Sequence, residues 1–205
     1  MLREVRLRWW LIALVLGATL LALSFYFDAT VVAWMAQYQD QGVRTFMRDV
    51  SRFGDWPGHM IVGGIGLLLA RLQGNRKWMR IFAAMLLACA LAGSVTRVIK
   101  IAAGCARPDV HSEVQWHGVQ FRSRHNAFPS GHTAASVAFF AALTIANWQL
   151  GLALSFVPLL IAFSRLYVVA HRLSDVVAAI VIGCLAAYFV VRWLPPEVAD
   201  SPPAS

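Results

Sequence analysis

Three short polar segments stand out from a chain that is otherwise mostly apolar. They cover residues 100–108, 129–132 and 164–175, and they contain lysine, arginine, histidine, serine and aspartate side chains. Charged groups are costly near a bilayer and usually functional there. Cations that neutralise phosphate oxygens, together with imidazoles that move protons or attack phosphorus, suit phosphoryl transfer. The three segments are therefore the candidate site.

Five residues of these segments can bind a phosphate group. Lys100, Arg107 and Arg165 supply positive charge, and the planar guanidinium of an arginine binds two phosphate oxygens at once. Ser130 and Gly131 directly precede an apolar segment, where the N–H groups of a helix start bind anions and glycine allows close approach. A plain N-cap role for Ser130 is compatible with this, because a cap exposes the same N–H groups.

Two histidines are candidates for the chemical steps. His171 and Asp175 are four residues apart, which brings two side chains together on a helix or on a turn that enters a helix. A carboxylate beside an imidazole fixes its tautomer and raises its basicity. His132 follows Ser130 and Gly131 at the predicted helix start. The spacing alone does not decide which histidine attacks, and each one taken singly could simply be a satisfied polar group at a membrane interface.

The three segments together resemble the signature of the type 2 phosphatidic acid phosphatase superfamily, the lipid phosphate phosphatases. Its pattern is Lys, six residues, Arg-Pro; then Pro-Ser-Gly-His; then Ser-Arg, five residues, His, three residues, Asp. Every fixed position is present in order between residues 100 and 175. The resemblance implies that His171 is the nucleophile that forms a phosphohistidine, with Asp175 as its partner. It also implies that His132 is the general acid and later the base that activates water.

The composition predicts one integral membrane domain. The 205 residues are 59% hydrophobic and only 14% charged, against about 25% charged in an average soluble domain, and the mean hydropathy is +0.62. The formal net charge is +8. The cations flank apolar segments or lie in the polar segments, so we expect no nucleic-acid partner.

The hydropathy pattern predicts an all-α bundle of six transmembrane helices. An amphipathic helix over residues 43–53 is expected either at the outer membrane surface or as an ordinary packed helix. Residues 1–194 form the predicted domain, and residues 195–205 are a predicted disordered tail. The six spans are residues 9–27, 59–72, 78–99, 133–148, 150–169 and 175–193.

Basic residues predict the orientation of these spans. Arg3, Arg6 and Arg8 precede the first span, and the loop 71–80 is also basic, which marks both as cytoplasmic. Counting spans from there puts all three polar segments outside and both termini in the cytoplasm. The compact chain without an additional domain favours a bacterial inner membrane, with the site facing the periplasm.

The remaining histidines and the cysteines do not predict a metal site or a disulfide. His111, His117 and His125 precede His132 at spacings of six, eight and seven residues, unlike compact zinc patterns. We expect the 109–128 loop to be a polar lid and the enzyme to need no metal or cofactor. Cys105 lies in the first segment, where a spacer is favoured over a thiol nucleophile.

The predicted function is hydrolysis of a lipid phosphate or diphosphate in the membrane. Phosphatidic acid, phosphatidylglycerol phosphate, a polyprenyl diphosphate and a lipid A phosphate are all candidate substrates, and the oligomeric state is open. A lipid-to-lipid phosphotransferase would use the same residues. An anion transporter is a more remote alternative, because the polar segments gather at one face and no internal repeat is present.

Overall fold

The structure is a computed structural model that describes residues 2–108, 110 and 114–194. Those residues are helical, apart from loops, a 3₁₀ turn at Ser123–His125 and one isolated antiparallel bridge between Cys105 and Trp116. The predicted all-helical class is thus confirmed, while the predicted tail 195–205 lies outside the described residues. The helices are α1 (Leu2–Gln37), α2 (Gln41–Phe53), α3 (Trp56–Leu72), α4 (Arg76–Ala103), α5 (Gly131–Ala146), α6 (Trp148–Ala153), α7 (Phe156–Tyr167) and α8 (Leu173–Trp193).

Four helical stretches are long and apolar enough to cross a membrane. They are Leu14–Gln37 in α1, Arg76–Ala103 (α4), Trp148–Tyr167 (α6 and α7 together) and Leu173–Trp193 (α8). The apolar helix α5 has 16 residues, and α3 has 17, so both are shorter than the roughly 20 residues of a typical span. Six crossings require both of these short helices to span, and the count of six stays a prediction.

The first helix continues well beyond its predicted end at residue 27. It includes Asp28, which the hydropathy pattern treats as the boundary, and it ends only at Gln37. The Asp28 carboxylate is 8% exposed. It accepts hydrogen bonds from the backbone N–H (2.8 Å) and the hydroxyl (2.6 Å) of Ser174 in α8. A buried carboxylate with such partners does not have to end an apolar helix.

The predicted span 150–169 is interrupted at Leu154 and Ser155. Pro158 lies in the first turn of α7, and a proline cannot donate the hydrogen bond that would continue α6 into α7. The carbonyl oxygen of Leu154 instead accepts from Val157 at 3.1 Å. The interruption separates the six-residue α6 from α7, which carries the start of the third polar segment.

Small residues let α5 pack closely against α4 and α8. At Gly183 of α8, an added Cβ would come within 2.9 Å of the carbonyl oxygen of Ala134, so the two helices touch through backbone. Close backbone approach is the usual way in which membrane helices associate. This packing fixes the starts of α5 and α8 relative to each other. The fully buried alanines of these helices are Ala88 and Ala92 in α4, Ala134, Ala138 and Ala142 in α5, and Ala179 and Ala187 in α8.

The predicted amphipathic helix is present as α2. Asp40 caps its start by accepting from the Val43 N–H at 2.8 Å. One side of α2 packs on α7, where the hydroxyls of Ser51 and Ser164 are 2.9 Å apart. On another side, Phe46 remains 56% exposed. The helix therefore combines a packed side with an exposed apolar side, and its location at the outer membrane surface stays a prediction.

Candidate active site

Hydrogen bonds join the three polar segments at one end of the bundle. The backbone N–H of Ser130 donates to the carbonyl oxygen of Asp175 at 2.9 Å, which ties the second segment to the third. The guanidinium of Arg172 donates to the carbonyl oxygen of Ala106 at 2.6 Å, which ties the third segment to the first. Residues that are distant in the chain are thereby held in one site.

The loop after α4 folds back over the end of that helix. Gly104 ends α4 with φ of 55°, and a Cβ there would collide with the carbonyl oxygen of Gly118, so glycine is required. The ammonium of Lys100 donates to the carbonyl oxygens of Asn126 (2.7 Å) and Ala127 (3.2 Å). These bonds hold the loop against the candidate site. Its predicted role as a lid stays a prediction.

The loop histidines are only partly described. The rings of His117 and His125 lie 4.4 Å apart in an edge-to-face arrangement, whereas His111 lies outside the described residues. Trp116 packs against Phe128 with ring centroids 5.4 Å apart. Phe25 of α1 packs on Trp116 at 6.4 Å, so the loop is also held against the first helix.

His171 and Asp175 form the predicted buried pair. Nδ1 of His171 is 3.2 Å from Oδ2 of Asp175, and the side chains are 2% and 1% exposed. The backbone N–H of Arg172 donates to the same carboxylate oxygen at 2.9 Å. With its Nδ1–H donating to Asp175, the imidazole has the lone pair of Nε2 free.

The surroundings of His171 favour its neutral form. Burial lowers the pKa of His171 well below its ordinary range, and the charges of Lys100 and Arg165 lower that pKa further. Only a neutral imidazole has a lone pair with which to attack phosphorus. The cations that would bind a phosphate therefore also keep the candidate nucleophile ready to react.

His132 is the second imidazole of the site and follows Gly131 at the start of α5. Its Nε2 is 3.8 Å from Oδ1 of Asp55. Asp55 caps α3 by accepting from the Trp56 N–H at 2.9 Å. Burial and the charge of Arg165 lower the pKa of His132 to about 4, although the Asp55 carboxylate opposes them. The negative charge of a bound phosphate would favour the protonated form that a general acid needs.

The predicted phosphate-binding residues differ in how they are held. Arg107 donates through Nε to the carbonyl oxygen of Ser123 at 3.3 Å. Arg165 is only 9% exposed, and within the described part of the chain its buried Nε has no hydrogen-bond acceptor. Ser130 is fully buried, and its hydroxyl accepts from Thr133 at 3.0 Å. Because the Ser130 N–H already donates to the carbonyl oxygen of Asp175, the N–H groups available to an anion are those of later residues in α5.

A cavity of about 600 Å³ lies between α3, α4 and α5. His132, His171, Lys100 and Arg107 line one end of it. The wall then continues along α4, past Arg97, Thr96 and Ser94, down to Cys89, which is 11 residues and about 16 Å before Lys100. Ser130, Arg165 and Asp175 are not among the residues that line the cavity. The apolar part is lined by Met60, Cys89, Ala90, Gly93 and Ala135.

Three residues that contribute to the site were not predicted from the sequence. Asp55 was not distinguished from other exposed acids, and Arg172 was not separated from its neighbours in the third segment. Asp28 could have been predicted, because an ionisable residue beside an apolar segment is a functional candidate by default. Its contact with Ser174 brings α1 to the residue directly before Asp175.

Cys105 behaves as a packed residue. Its side chain is completely buried, and burial raises the pKa of the Cys105 thiol. A raised pKa disfavours the thiolate that nucleophilic attack requires. The geometry agrees with the interpretation of Cys105 as a spacer.

We expect Asp28→Ala to destabilise the fold and to loosen the catalytic pair. The substitution leaves the N–H and hydroxyl of Ser174 buried without an acceptor, which costs about 1–3 kcal/mol. Thermal unfolding in detergent measures this loss, and turnover should fall with it. Ser174→Ala removes only the hydroxyl and should cost less, whereas wild-type stability of Asp28→Ala would show that this contact contributes nothing.

Two solved structures share this fold. A transmembrane PAP2-type phosphatidylglycerolphosphate phosphatase from Bacillus subtilis aligns with a TM-score of 0.66 and 18% identity, over 94% of this chain and 96% of that one. LpxE from Aquifex aeolicus aligns with a TM-score of 0.56 and 18% identity, over 81% and 95%. No curated protein sequence matches the chain.

The family itself is shown by sequence. The family model described as the PAP2 superfamily matches residues 81–199. That stretch is more than half of the 205 residues, and it contains all three polar segments and both histidines of the site. The chain therefore belongs to the PAP2 superfamily, as its motifs predict.

Proposed function

We propose that this protein is a membrane lipid phosphatase that acts through a phosphohistidine at His171. The proposal rests on the cavity, whose lining combines two histidines and three cations with apolar residues; these are His132, His171, Arg97, Lys100 and Arg107, and Met60, Cys89, Ala90 and Ala135. That polarity matches a lipid with a phosphate headgroup. The named activity of the Bacillus subtilis neighbour, a phosphatidylglycerolphosphate phosphatase, supports the same substrate class.

In the first step, Nε2 of His171 attacks phosphorus. Lys100 and Arg107 neutralise the phosphate oxygens as the bond between phosphorus and the lipid oxygen breaks, and the charge of Arg165 adds to theirs from behind the cavity wall. His132 gives its proton to the leaving lipid oxygen. The products of this step are the dephosphorylated lipid and a phosphoryl group on His171.

In the second step, water displaces the phosphoryl group from His171. His132, now neutral, accepts a proton from the attacking water, and the bond between phosphorus and Nε2 breaks. Inorganic phosphate leaves, and both histidines return to their starting states. The hydrogen bond to Asp175 stabilises the positive charge that His171 carries while it is phosphorylated.

The orientation of the site toward the outside is part of the proposal, together with six crossings. In a variant without Cys89, Cys105 and Cys184, we expect Val119→Cys to react with a membrane-impermeant thiol reagent in intact cells. Val119 is 68% exposed and lies in the loop over the site. Gln73→Cys, in the turn between α3 and α4, should react only after lysis. The reverse pattern would invert the topology.

Phosphate release from a panel of lipid phosphates tests the function. The purified protein should release inorganic phosphate in detergent from at least one of phosphatidic acid, phosphatidylglycerol phosphate, a polyprenyl diphosphate or a lipid A phosphate. His171→Ala should release none. The release should also survive EDTA, since metal independence is part of the proposal. Transfer of phosphate to an added acceptor lipid in place of release would identify a phosphotransferase, and inactivity on the whole panel would reject the proposal.

A further inference from the structure

Arg97 is a charged residue in the cavity wall that neither step of the proposed mechanism uses. It lies in α4, three residues before Lys100, and it is exposed. Residues three apart on a helix are neighbours on its surface, and Arg97 and Lys100 both line the cavity. Within the described part of the chain, no hydrogen bond or ion pair engages the Arg97 side chain. An arginine in a membrane helix is costly unless it is paired, so Arg97 is a candidate to bind a negatively charged group of a ligand.

The order of residues along α4 indicates what that partner is. Lys100 lies at the polar end of the cavity with His132 and His171. Arg97 comes next, about 4.5 Å further along the helix axis. Beyond it the wall consists of small residues, the apolar Gly93 and Ala90 and the hydroxyl-bearing Ser94, with Thr96 beside Arg97. Along α4, the cavity wall thus presents Lys100 beside the two histidines, then Arg97, and then small residues that can contact the hydrocarbon part of a lipid.

We propose that Arg97 binds a second phosphate group of the substrate, between the phosphate that is removed and the apolar lipid body. This inference rests on the proposed function and narrows its substrate class to lipids that carry two phosphate groups. A diphosphate lipid and a phosphatidyl lipid with a terminal phosphate share this chemistry. Phosphatidic acid, with a single phosphate, would not engage Arg97 in this way.

The charges around the cavity agree with a doubly phosphorylated ligand. Among its described lining residues, Arg97, Lys100 and Arg107 face a single carboxylate, that of Asp55. Asp55 is already engaged with the Trp56 N–H and lies near His132. Positive charge therefore prevails along the α4 wall. The planar fork of Arg97 can bind two oxygens of one phosphate group.

Matched substrates test the inference. An isoprenoid diphosphate and the monophosphate with the same tail differ only in the second phosphate, and phosphatidylglycerol phosphate with phosphatidic acid forms a second pair. In Arg97→Gln, kcat/KM for the substrate with two phosphates should fall about 10- to 100-fold relative to its partner with one phosphate, the effect of a lost charged hydrogen bond. The pair that shows this change identifies which of the two lipid classes the site accepts.

A matched control separates this effect from general loss of charge. Arg76→Gln removes an exposed cation from the other end of α4 and should leave both ratios unchanged. Arg97→Lys keeps the charge without the fork and should show a smaller fall in the ratio. The ratio of the two kcat/KM values within a substrate pair is measured on one preparation, so it does not depend on how much of that protein is folded.

The outcomes distinguish the two proposals. An equal fall for both members of each pair would show that Arg97 serves bulk lipid headgroups or the fold, and it would overturn the inference while leaving the phosphatase function intact. Unchanged kinetics in Arg97→Gln would overturn it as well. Inactivity of the wild-type protein on all four lipids would instead reject the proposed function.

Discussion

His171→Ala is expected to abolish turnover with every phosphate substrate, by on the order of 10⁴-fold or more. The reason is chemical, because the proposed first step makes a bond between phosphorus and Nε2 of this residue, and His171 is the imidazole that a carboxylate orients for attack. His132 lines the same cavity, but the Asp55 carboxylate is 3.8 Å away, too far to orient the ring of His132 by a hydrogen bond as Asp175 orients His171. Steady-state phosphate release from purified variant and wild-type protein measures the loss.

The control for this prediction is a histidine at the same end of the molecule. His125 lies in the 3₁₀ turn of the loop and does not line the cavity, so His125→Ala should retain most of the turnover. Substantial activity in His171→Ala, with folding verified by thermal unfolding, would show that another group is the nucleophile. Equal loss in both variants would indicate damage to the fold.

His132→Ala is expected to show a loss that depends on the leaving group. A lipid alkoxide leaves poorly without a proton, so removal of the general acid should slow phosphoryl transfer by on the order of 10²–10⁴-fold. p-Nitrophenolate departs readily as an anion and needs little protonation. The variant should therefore phosphorylate His171 far faster with p-nitrophenyl phosphate than with a lipid phosphate. Rapid-quench measurement of the phosphoenzyme tests this difference.

The second step gives the prediction a further check. His132 also activates water, so the phosphoenzyme formed from p-nitrophenyl phosphate should accumulate in His132→Ala. His171→Ala should form no phosphoenzyme with either substrate. Equal impairment of His132→Ala on both substrates would mean that His132 does not protonate the leaving group. Phosphate trapped in His171→Ala would mean that the two roles are reversed.

The sequence predicted the helices of this protein because a membrane imposes simple rules on them. Long apolar runs must be helical in lipid, since no water is present to satisfy backbone polar groups. The helix ends were less predictable. A charged residue such as Asp28 usually marks the end of an apolar helix. The helix α1 nevertheless continues through Asp28, because Ser174, which is distant in the chain, donates two hydrogen bonds to its carboxylate. Such a long-range partner leaves no local signal.

The candidate site was predictable to a similar degree. His171 and Asp175 meet as predicted, but not on one helix. His171 precedes the extended N-cap Arg172, and Asp175 turns back from the first turn of α8 to accept from the Arg172 N–H. Ser130 was expected to present its N–H to phosphate, but that group donates to the Asp175 carbonyl oxygen instead. The approach of Asp55 to His132 depends on how α3 packs near α5. Periodicity specifies one helix at a time, so it does not reveal contacts between helices.

The position of the phosphoryl group in the working enzyme shows directly whether His171 is the nucleophile. Wild-type protein is mixed with a lipid phosphate carrying labelled phosphorus, quenched in alkali during the first turnover, digested and mapped by mass spectrometry. We predict a phosphoryl group on the peptide that contains His171, stable in alkali and lost in acid as expected for a bond to nitrogen. A label on His132, on a hydroxyl or on a carboxylate, or product formation with no labelled protein at any time, would contradict it.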